Sequence, residues 1–315
     1  MMKIAHISDL HLTTFFSQNN LDDIELSLQY INELNVDHIV ITGDLTDNAD
    51  PKDFFLLRNL FDKYNLLYGN RLSIVIGNHD IFGGVQTAED IFAFPEKCNA
   101  VDYKEKVDEF YNYFPEAFEG CSYISAENKF PYAKVLGDVL FVGLNSIAEY
   151  SRLKNPFASN GKISLQQFIE LVEILDSYKN VKHKIILIHH YFNQMKVNQQ
   201  SNGVWQNIEK QTMKLRKKKR LFNLFNQYNI DLVLHGHYHN SEEYFRRGIR
   251  FSNAGASFKG RVANEININM VSIKNGKIEI EIHKIKTSDK TTIPVYSYNK
   301  FKRREELKIA AVLNN

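Results

Sequence analysis

The sequence predicts an α/β protein, and three observations carry that prediction. Short apolar runs of strand length alternate with longer segments whose apolar residues recur at helical spacing. Each strand-like run gives way at once to polar residues. From about Glu242 the alternation stops and β-type runs follow one another, with Asn275-Gly276 joining the last two.

In chain order, strands are expected over residues 3–7, 38–42, 72–76, 139–144, 184–188 and 232–234. Between the first two, Ile24, Leu28, Ile31 and Leu34 mark the apolar stripe of a helix. The next helix carries Phe54, Leu57, Phe61 and Tyr64 behind Pro51, which suits a first helical turn because its missing N–H would be unpaired there anyway. Phe168, Leu171, Val172 and Leu175 repeat the pattern after Ser164, an expected N-cap. Residues 266–273 and 277–285 read as a hairpin, and this tail is expected to be antiparallel. Two stretches break the alternation. Residues 81–131 are rich in aromatics, among them Phe92, Phe94, Phe110, Tyr111, Tyr113 and Phe114, and residues 191–228 hold the only tryptophan, Trp205. Both are expected to cap a site, the aromatics forming the core of a small helical cap rather than a base-stacking platform. One domain is expected over residues 1–286, with 287–315 as a basic arm around Lys300, Lys302, Arg303 and Arg304.

Composition removes several classes. Hydrophobic residues are 43% and charged residues 24% of the 315, which excludes a disordered chain. With 39 Lys and Arg against 37 Asp and Glu the net charge is +2, so whole-molecule attraction to nucleic acid or membrane is weak. Cys98 and Cys121 form no paired-thiol motif, and no apolar run approaches a bilayer span. Met1-Met2-Lys3 leads directly into the first strand without the apolar segment of a leader, which makes the cytoplasm the expected location.

The chemistry stands at the strand ends. The first strand runs into Asp9-Leu10-His11, the second into Gly43-Asp44-Leu45-Thr46-Asp47, and the third into Gly77-Asn78-His79-Asp80. A later strand ends in His189-His190, and the sixth runs into Gly236-His237-Tyr238-His239. In open α/β sheets the carboxyl ends of strands converge on one crevice, so these blocks are expected to meet. Carboxylates, an amide and imidazoles are hard and borderline donors that suit Zn, Fe, Mn or Co, and the lack of thiolates argues against a structural zinc or an iron–sulfur site. Gly43, Gly77 and Gly236 each precede a candidate ligand, as expected where the backbone must turn through positive φ. Asn145-Ser146 closes a further strand on the same side. Each block alone is weak; five in this order are a strong signal.

The five blocks resemble those of the calcineurin-like metallophosphoesterases, whose pattern is DxH, GDxxD, GNHD or GNHE, a lone histidine, then GHxH. The resemblance spans roughly residues 3–285, the later Asn253-Ala254-Gly255-Ala256-Ser257 being similar to the family's Asn-x-Gly turn, and block spacing and length are nearest to the cyclic-nucleotide phosphodiesterase-like branch. It implies a four-layer α/β/β/α sandwich with a dinuclear metal centre at the strand ends, holding two divalent or mixed-valence transition metals (Mn, Fe or Zn). It also implies that Asp9, His11 and His239 ligate the first metal, that Asp44 bridges, and that Asn78, His189 and His237 complete the second. His79 is the implied general acid, with Asp80 or Asp47 orienting a ring. The fourth block reads His189-His190-Tyr191 where the family commonly has His-His-Pro or His-Ser-Pro, which leaves His190 as an alternative to His189.

The implied activity is hydrolysis of a small phosphate ester, a phosphodiester such as a cyclic nucleotide, by a metal-bridging hydroxide. Two divalent ions set against Asp9, Asp44 and one hydroxide leave about one positive charge, which matches a diester monoanion better than a monoester dianion. Two alternatives stand beside it: a DNA or RNA nuclease of the same superfamily, favoured by the basic run 214–220 and disfavoured by the low net charge, and a non-catalytic metal-bound scaffold for a protein partner. No block has lost its candidate ligand, which counts against the scaffold. Histidines at strand ends are usually structural, and that reading is applied to His6, His38, His183, His235 and His283. Oligomeric state is not read from the sequence.

Overall fold

A computed structural model describes residues 1–14, 19–85, 88–193, 213–255 and 265–286. The chain runs β1 (Met2–Ile7), α1 (Asn19–Glu33), β2 (His38–Thr42), α2 (Pro51–Lys63), β3 (Leu72–Val75), α3 (His79–Phe82), α4 (Ala88–Ala100) and α5 (Tyr103–Tyr113). It continues through β4 (Tyr132–Leu136), β5 (Val139–Gly143), β6 (Gly161–Lys162), α6 (Leu165–Ser177), β7 (His183–Leu187), β8 (Leu215–Arg216) and α7 (Lys218–Gln227). The last strands are β9 (Leu232–His235), β10 (Glu242–Arg246), β11 (Ile249–Asn253), β12 (Glu265–Lys274) and β13 (Lys277–Lys286).

Two mixed sheets form the body, a five-stranded one ordered β13-β12-β1-β2-β3 and a six-stranded one ordered β10-β11-β9-β7-β5-β4. The period of two along a strand explains how they stack. Along β5, Val139 and Phe141 join a core shared with the five-stranded sheet, whereas Leu140 and Val142 join a second core with α6 and α7. In β7 and β9, Ile185, Leu187, Leu232 and Leu234 likewise face inward and Ile186 and Val233 outward. Apolar faces of α1 and α2 cover the other side of the five-stranded sheet. The result is the α/β/β/α layering that the family resemblance implies.

Local signals account for the helix starts. Asp50 caps α2 by accepting from Lys52 N, with Pro51 at the first turn, and Ser164 caps α6 by accepting from Gln167 N at 3.0 Å. Asn275 and Gly276 turn the β12–β13 hairpin at φ 51° and 78°, the left-handed pair that a two-residue turn requires. That hairpin returns to the first sheet by pairing β12 antiparallel to β1. The tail is not wholly antiparallel, because β11 pairs parallel to β9 while β10 folds back on it.

Of the aromatic stretch 81–131, Phe94, Phe110 and Phe114 are buried in the first core and Phe92 is exposed. Phe94, Phe110 and Phe114 are packing residues. Residues 194–212, with Trp205, lie outside the described residues, as does the arm 287–315. At the other end of 191–228, α7 buries Leu221, Phe222, Leu224 and Phe225 on the six-stranded sheet, so this part belongs to the outer layer. Among the described residues no helix is long and apolar enough to cross a membrane.

Candidate metal centre

The loops after β1 and β2 are stitched together by backbone hydrogen bonds, Asp9 N to Gly43 O at 3.0 Å and His11 N to Asp44 O at 2.9 Å. This pairing places two loops side by side with Asp9, His11 and Asp44 at φ of 54°, 46° and 50°. His237, across the crevice, has φ 70°. Left-handed backbone at non-glycine residues is unfavourable and persists only where surrounding contacts hold it, and here all four residues belong to the predicted blocks.

The glycines act otherwise than the sequence suggests. Of Gly43, Gly77 and Gly236, only Gly43 has positive φ, 93°. Gly77 and Gly236 are needed for space: a Cβ on Gly77 would lie 2.1 Å from Asp44 N, and one on Gly236 1.9 Å from Ser8 Oγ and 2.3 Å from Asp9 Oδ2.

Two groups of donors converge. In the first, His11 Nε2 is 3.1 Å from His239 Nε2, and Asp9 Oδ1 is 3.6 Å from His239 Nε2 and 4.0 Å from His11 Nε2. In the second, His189 Nε2 is 3.2 Å from Asn78 Oδ1, 3.0 Å from His237 Nδ1 and 3.3 Å from Asp44 Oδ2. The same Asp44 Oδ2 is 3.8 Å from His11 Nε2, so one carboxylate oxygen lies between the groups. All seven predicted ligands are therefore brought together. His79 also joins His11 and Asp44 in a convergent trio of donor atoms.

Ring tautomers are set from behind. His11 Nδ1 donates to Asp47 Oδ1 at 3.2 Å and His189 Nδ1 donates to the Thr42 carbonyl at 2.8 Å, which leaves Nε2 of each ring as the nitrogen facing the crevice. His190 is turned away, one ring nitrogen 2.7 Å from Ser146 Oγ and the other 3.2 Å from the Ser159 carbonyl. The structure thus brings His189, not His190, into the cluster. Asn253, from the Asn-x-Gly turn, bonds the Tyr238 carbonyl and Gly255 N and so braces the last block.

The second predicted catalytic residue, Asp80, does not reach a ring. Its carboxylate accepts from Thr46 N at 2.9 Å and Gly77 N at 2.9 Å, tying the second and third blocks together. Asp47 stands where Asp80 was an option: its carboxylate is 3.2 Å from His11 Nδ1 and 3.2 Å from His79 Nδ1, and its carbonyl accepts from His79 Nδ1 at 3.0 Å. His6, His38 and His235 are structural, with rings bonded to Thr42, to Asn70 and Ser73, and to Tyr244. Burial pushes all three well below the usual imidazole range. Sequence reasoning had no sign of the Thr42 carbonyl, a backbone group, or of the Tyr191–Tyr238 ring stack at 4.6 Å beside the last block.

Electrostatics mark the cluster as a cation site. Burial opposes a charge on His189, yet the Asp44 carboxylate beside it raises this imidazole to about 9. Burial likewise opposes ionisation of Asp44, but the surrounding imidazoles, His189 foremost, hold it well below the usual carboxylate range. Anionic and neutral donors whose lone pairs converge at the ~3 Å spacing of ligands around an ion with ~2.1 Å bonds fit a transition metal. The residues present therefore suit the implied metals.

Residues 2–241 match the sequence model described as calcineurin-like phosphoesterase. The chain is 38% identical over 87 residues to the uncharacterized metallophosphoesterase YkuE of Bacillus subtilis, covering 27% of this chain and 28% of that protein. It is 36% identical over 84 residues to a cAMP/cGMP dual specificity phosphodiesterase of Mycobacterium tuberculosis, covering 24% of this chain and 26% of that protein. These matches span little more than a quarter of either relative. Among solved structures, a dimetal phosphatase from Danio rerio superposes with TM-score 0.59 at 11% identity over 90% of this chain and 98% of that one. A purple acid phosphatase from yellow lupin gives 0.54 at 13% identity over 93% and 52%. At these identities the likeness is one of fold.

Proposed function

The chain belongs to the calcineurin-like phosphoesterase family and is a metal-dependent phosphoesterase, and from that premise we propose that it hydrolyses a small phosphodiester such as a cyclic nucleotide. The observation that carries the reading is the position of Asp44 Oδ2, 3.3 Å from His189 Nε2 and 3.8 Å from His11 Nε2, between two otherwise separate donor groups. On this reading Asp9, His11 and His239 hold one metal, Asn78, His189 and His237 the other, and Asp44 both, within one catalytic domain over residues 1–286. Two such ions would supply an acidified water and neutralise charge on the phosphoryl oxygens.

The protein's own groups do the rest. His79, 21% exposed at the crevice edge, is oriented through Nδ1 by Asp47, and its Nε2 carries the proton for the departing alkoxide. Asp47 holds His11 and His79 in one arrangement and so sets the ligand and the acid together. No Lys or Arg stands in any of the five sequence blocks, which favours a singly charged diester over a dianionic monoester. The cyclic-nucleotide assignment is supported by the mycobacterial relative, whose name gives that activity.

A panel of cAMP, cGMP, bis(p-nitrophenyl) phosphate and p-nitrophenyl phosphate with Mn²⁺ tests the reading. A higher kcat/KM on the diesters is expected. A clear preference for the monoester would overturn it.

A further inference from the structure

A half-open cleft of about 790 Å³ lies beside the metal centre, and none of the seven proposed ligands lines it. Its volume is that of a site for a drug-sized molecule. On one side the short parallel β6–β8 pair joins two segments far apart in sequence, and in it Lys162 is the register partner of Arg216. Two cations are thus held side by side on one small ribbon, an arrangement that is unfavourable without an anion to share them. Lys154 adjoins them, its carbonyl accepting from the Arg216 guanidinium, and Lys217 follows in left-handed backbone at φ 57°. Among the described residues no hydrogen bond or ion pair joins any of these four side-chain charges to a carboxylate, although Glu149 belongs to the same lining.

The part of the lining from α5 and residues 127–130 differs in character. It presents Asp108 and Glu127 together with Lys104 and Lys129. Tyr103 and Tyr150 add ring surface to the lining. A ligand that fits both parts has an anionic end and an end rich in hydrogen-bond donors. A bare phosphate satisfies only the cationic part of the lining.

We propose that this cleft is a second binding site, separate from the metal centre, for a nucleoside phosphate. Lys154, Lys162, Arg216 and Lys217 hold its phosphates, and Asp108 and Glu127 accept from its sugar or base. Part of the lining adjoins the centre: Asn145 and Ile147 belong to it, and Ser146 between them bonds the His190 ring, itself 4.4 Å from the His237 ring.

Calorimetric titration of ADP into the full chain tests this, using wild type, Asp44→Asn, and the double variant Lys162→Gln, Arg216→Gln, each first shown to melt cooperatively. A binding event preserved in Asp44→Asn and weakened by about tenfold or more in the double variant is expected, with inorganic phosphate at least about tenfold weaker than ADP. Independently of any variant, the wild-type affinity should fall as NaCl is raised. Loss of the event in Asp44→Asn would assign ADP to the metal centre and overturn the proposal. So would an unchanged affinity in the double variant, phosphate binding as tight as ADP, or no binding at all. None of these readouts depends on diester hydrolysis, so a failure here is distinguishable from a failure of the proposed activity.

Discussion

The two sheets contribute unequally to the metal centre. From the five-stranded sheet come Asp9 and His11 after β1, Asp44 after β2, and Asn78 and His79 after β3; from the six-stranded sheet come His189 after β7 and His237 and His239 after β9. Every carboxylate stands on one sheet, and the other supplies imidazoles alone. Neither half is a comfortable arrangement by itself, because buried carboxylates without cations and buried imidazoles without anions are both disfavoured. Each donor group takes members from both sheets, so docking of the sheets and binding of a cation are one linked equilibrium. Strain is also unequal: three of the four left-handed site residues lie on the anionic side.

The largest expected effect removes the one oxygen common to both groups. Asp44→Asn should lower metal content at both proposed positions and reduce turnover by more than the roughly 10²- to 10⁴-fold that follows loss of a general acid. Asn78→Ala, confined to the second group, should leave about one equivalent, as elemental analysis of the purified variants would show. Two full equivalents in Asp44→Asn would remove its bridging role.

Next comes His79, whose donors converge with His11 and Asp44 although its proposed task is proton donation. His79→Ala should keep both metals while turnover falls by roughly 10²- to 10⁴-fold, with a smaller loss on nitrophenolate leaving groups that need no proton. Lost metal, or an equal loss on good and poor leaving groups, would make it a ligand or a structural residue instead.

A contrast between two carboxylates follows. Asp47→Asn should lower activity or metal affinity by about 10- to 100-fold, since it orients His11 and His79 from behind. Asp80→Asn should keep the rings in place and act on the fold instead. An amide has one acceptor oxygen for the two backbone N–H groups of Thr46 and Gly77, and an unpaired buried group costs about 1–3 kcal/mol. Equal activity losses in the two variants would return Asp80 to a catalytic role.

These two aspartates show where the sequence is legible and where it stops. Five blocks at five strand ends were enough to expect one crevice, since strand length, polar punctuation and the parallel α/β pattern all follow from local chemistry. Which ring Asp47 or Asp80 faces depends on how the second and third loops lie against each other, and spacing holds no trace of that. The glycines repeat the lesson. Gly43 serves both backbone freedom and close approach, and Gly77 and Gly236 close approach alone, but a glycine in a sequence looks the same in either use. Strands β6 and β8 are two residues each and exist only because they meet, so neither Gly161-Lys162 nor Leu215-Arg216 reads as β on its own.

The smallest expected effect isolates what the imidazoles of the six-stranded sheet do for the carboxylates opposite. Asp53 stands in the first turn of α2, on the five-stranded side, and is 2% exposed against 1% for Asp44. Its partners are the Thr14 N–H and hydroxyl, at 3.0 and 2.8 Å, not an imidazole. Burial dominates there and lifts the carboxyl from 3.8 to about 6, where Asp44 goes the other way. With the folded value above the unfolded one, the native state binds more protons between about pH 4 and pH 6. Stability from this group therefore falls as pH rises through that window and stays lowered above it. Asp53→Asn keeps an acceptor for Thr14 and removes the buried charge. It should melt higher than wild type at pH 7 by at most the equivalent of about 3 kcal/mol, and the difference should vanish by about pH 4. A variant that melts lower than wild type at pH 7 would mean that Asp53 is held ionised by a cation. The contrast drawn here between carboxylates with and without facing imidazoles would then fail at its simplest case.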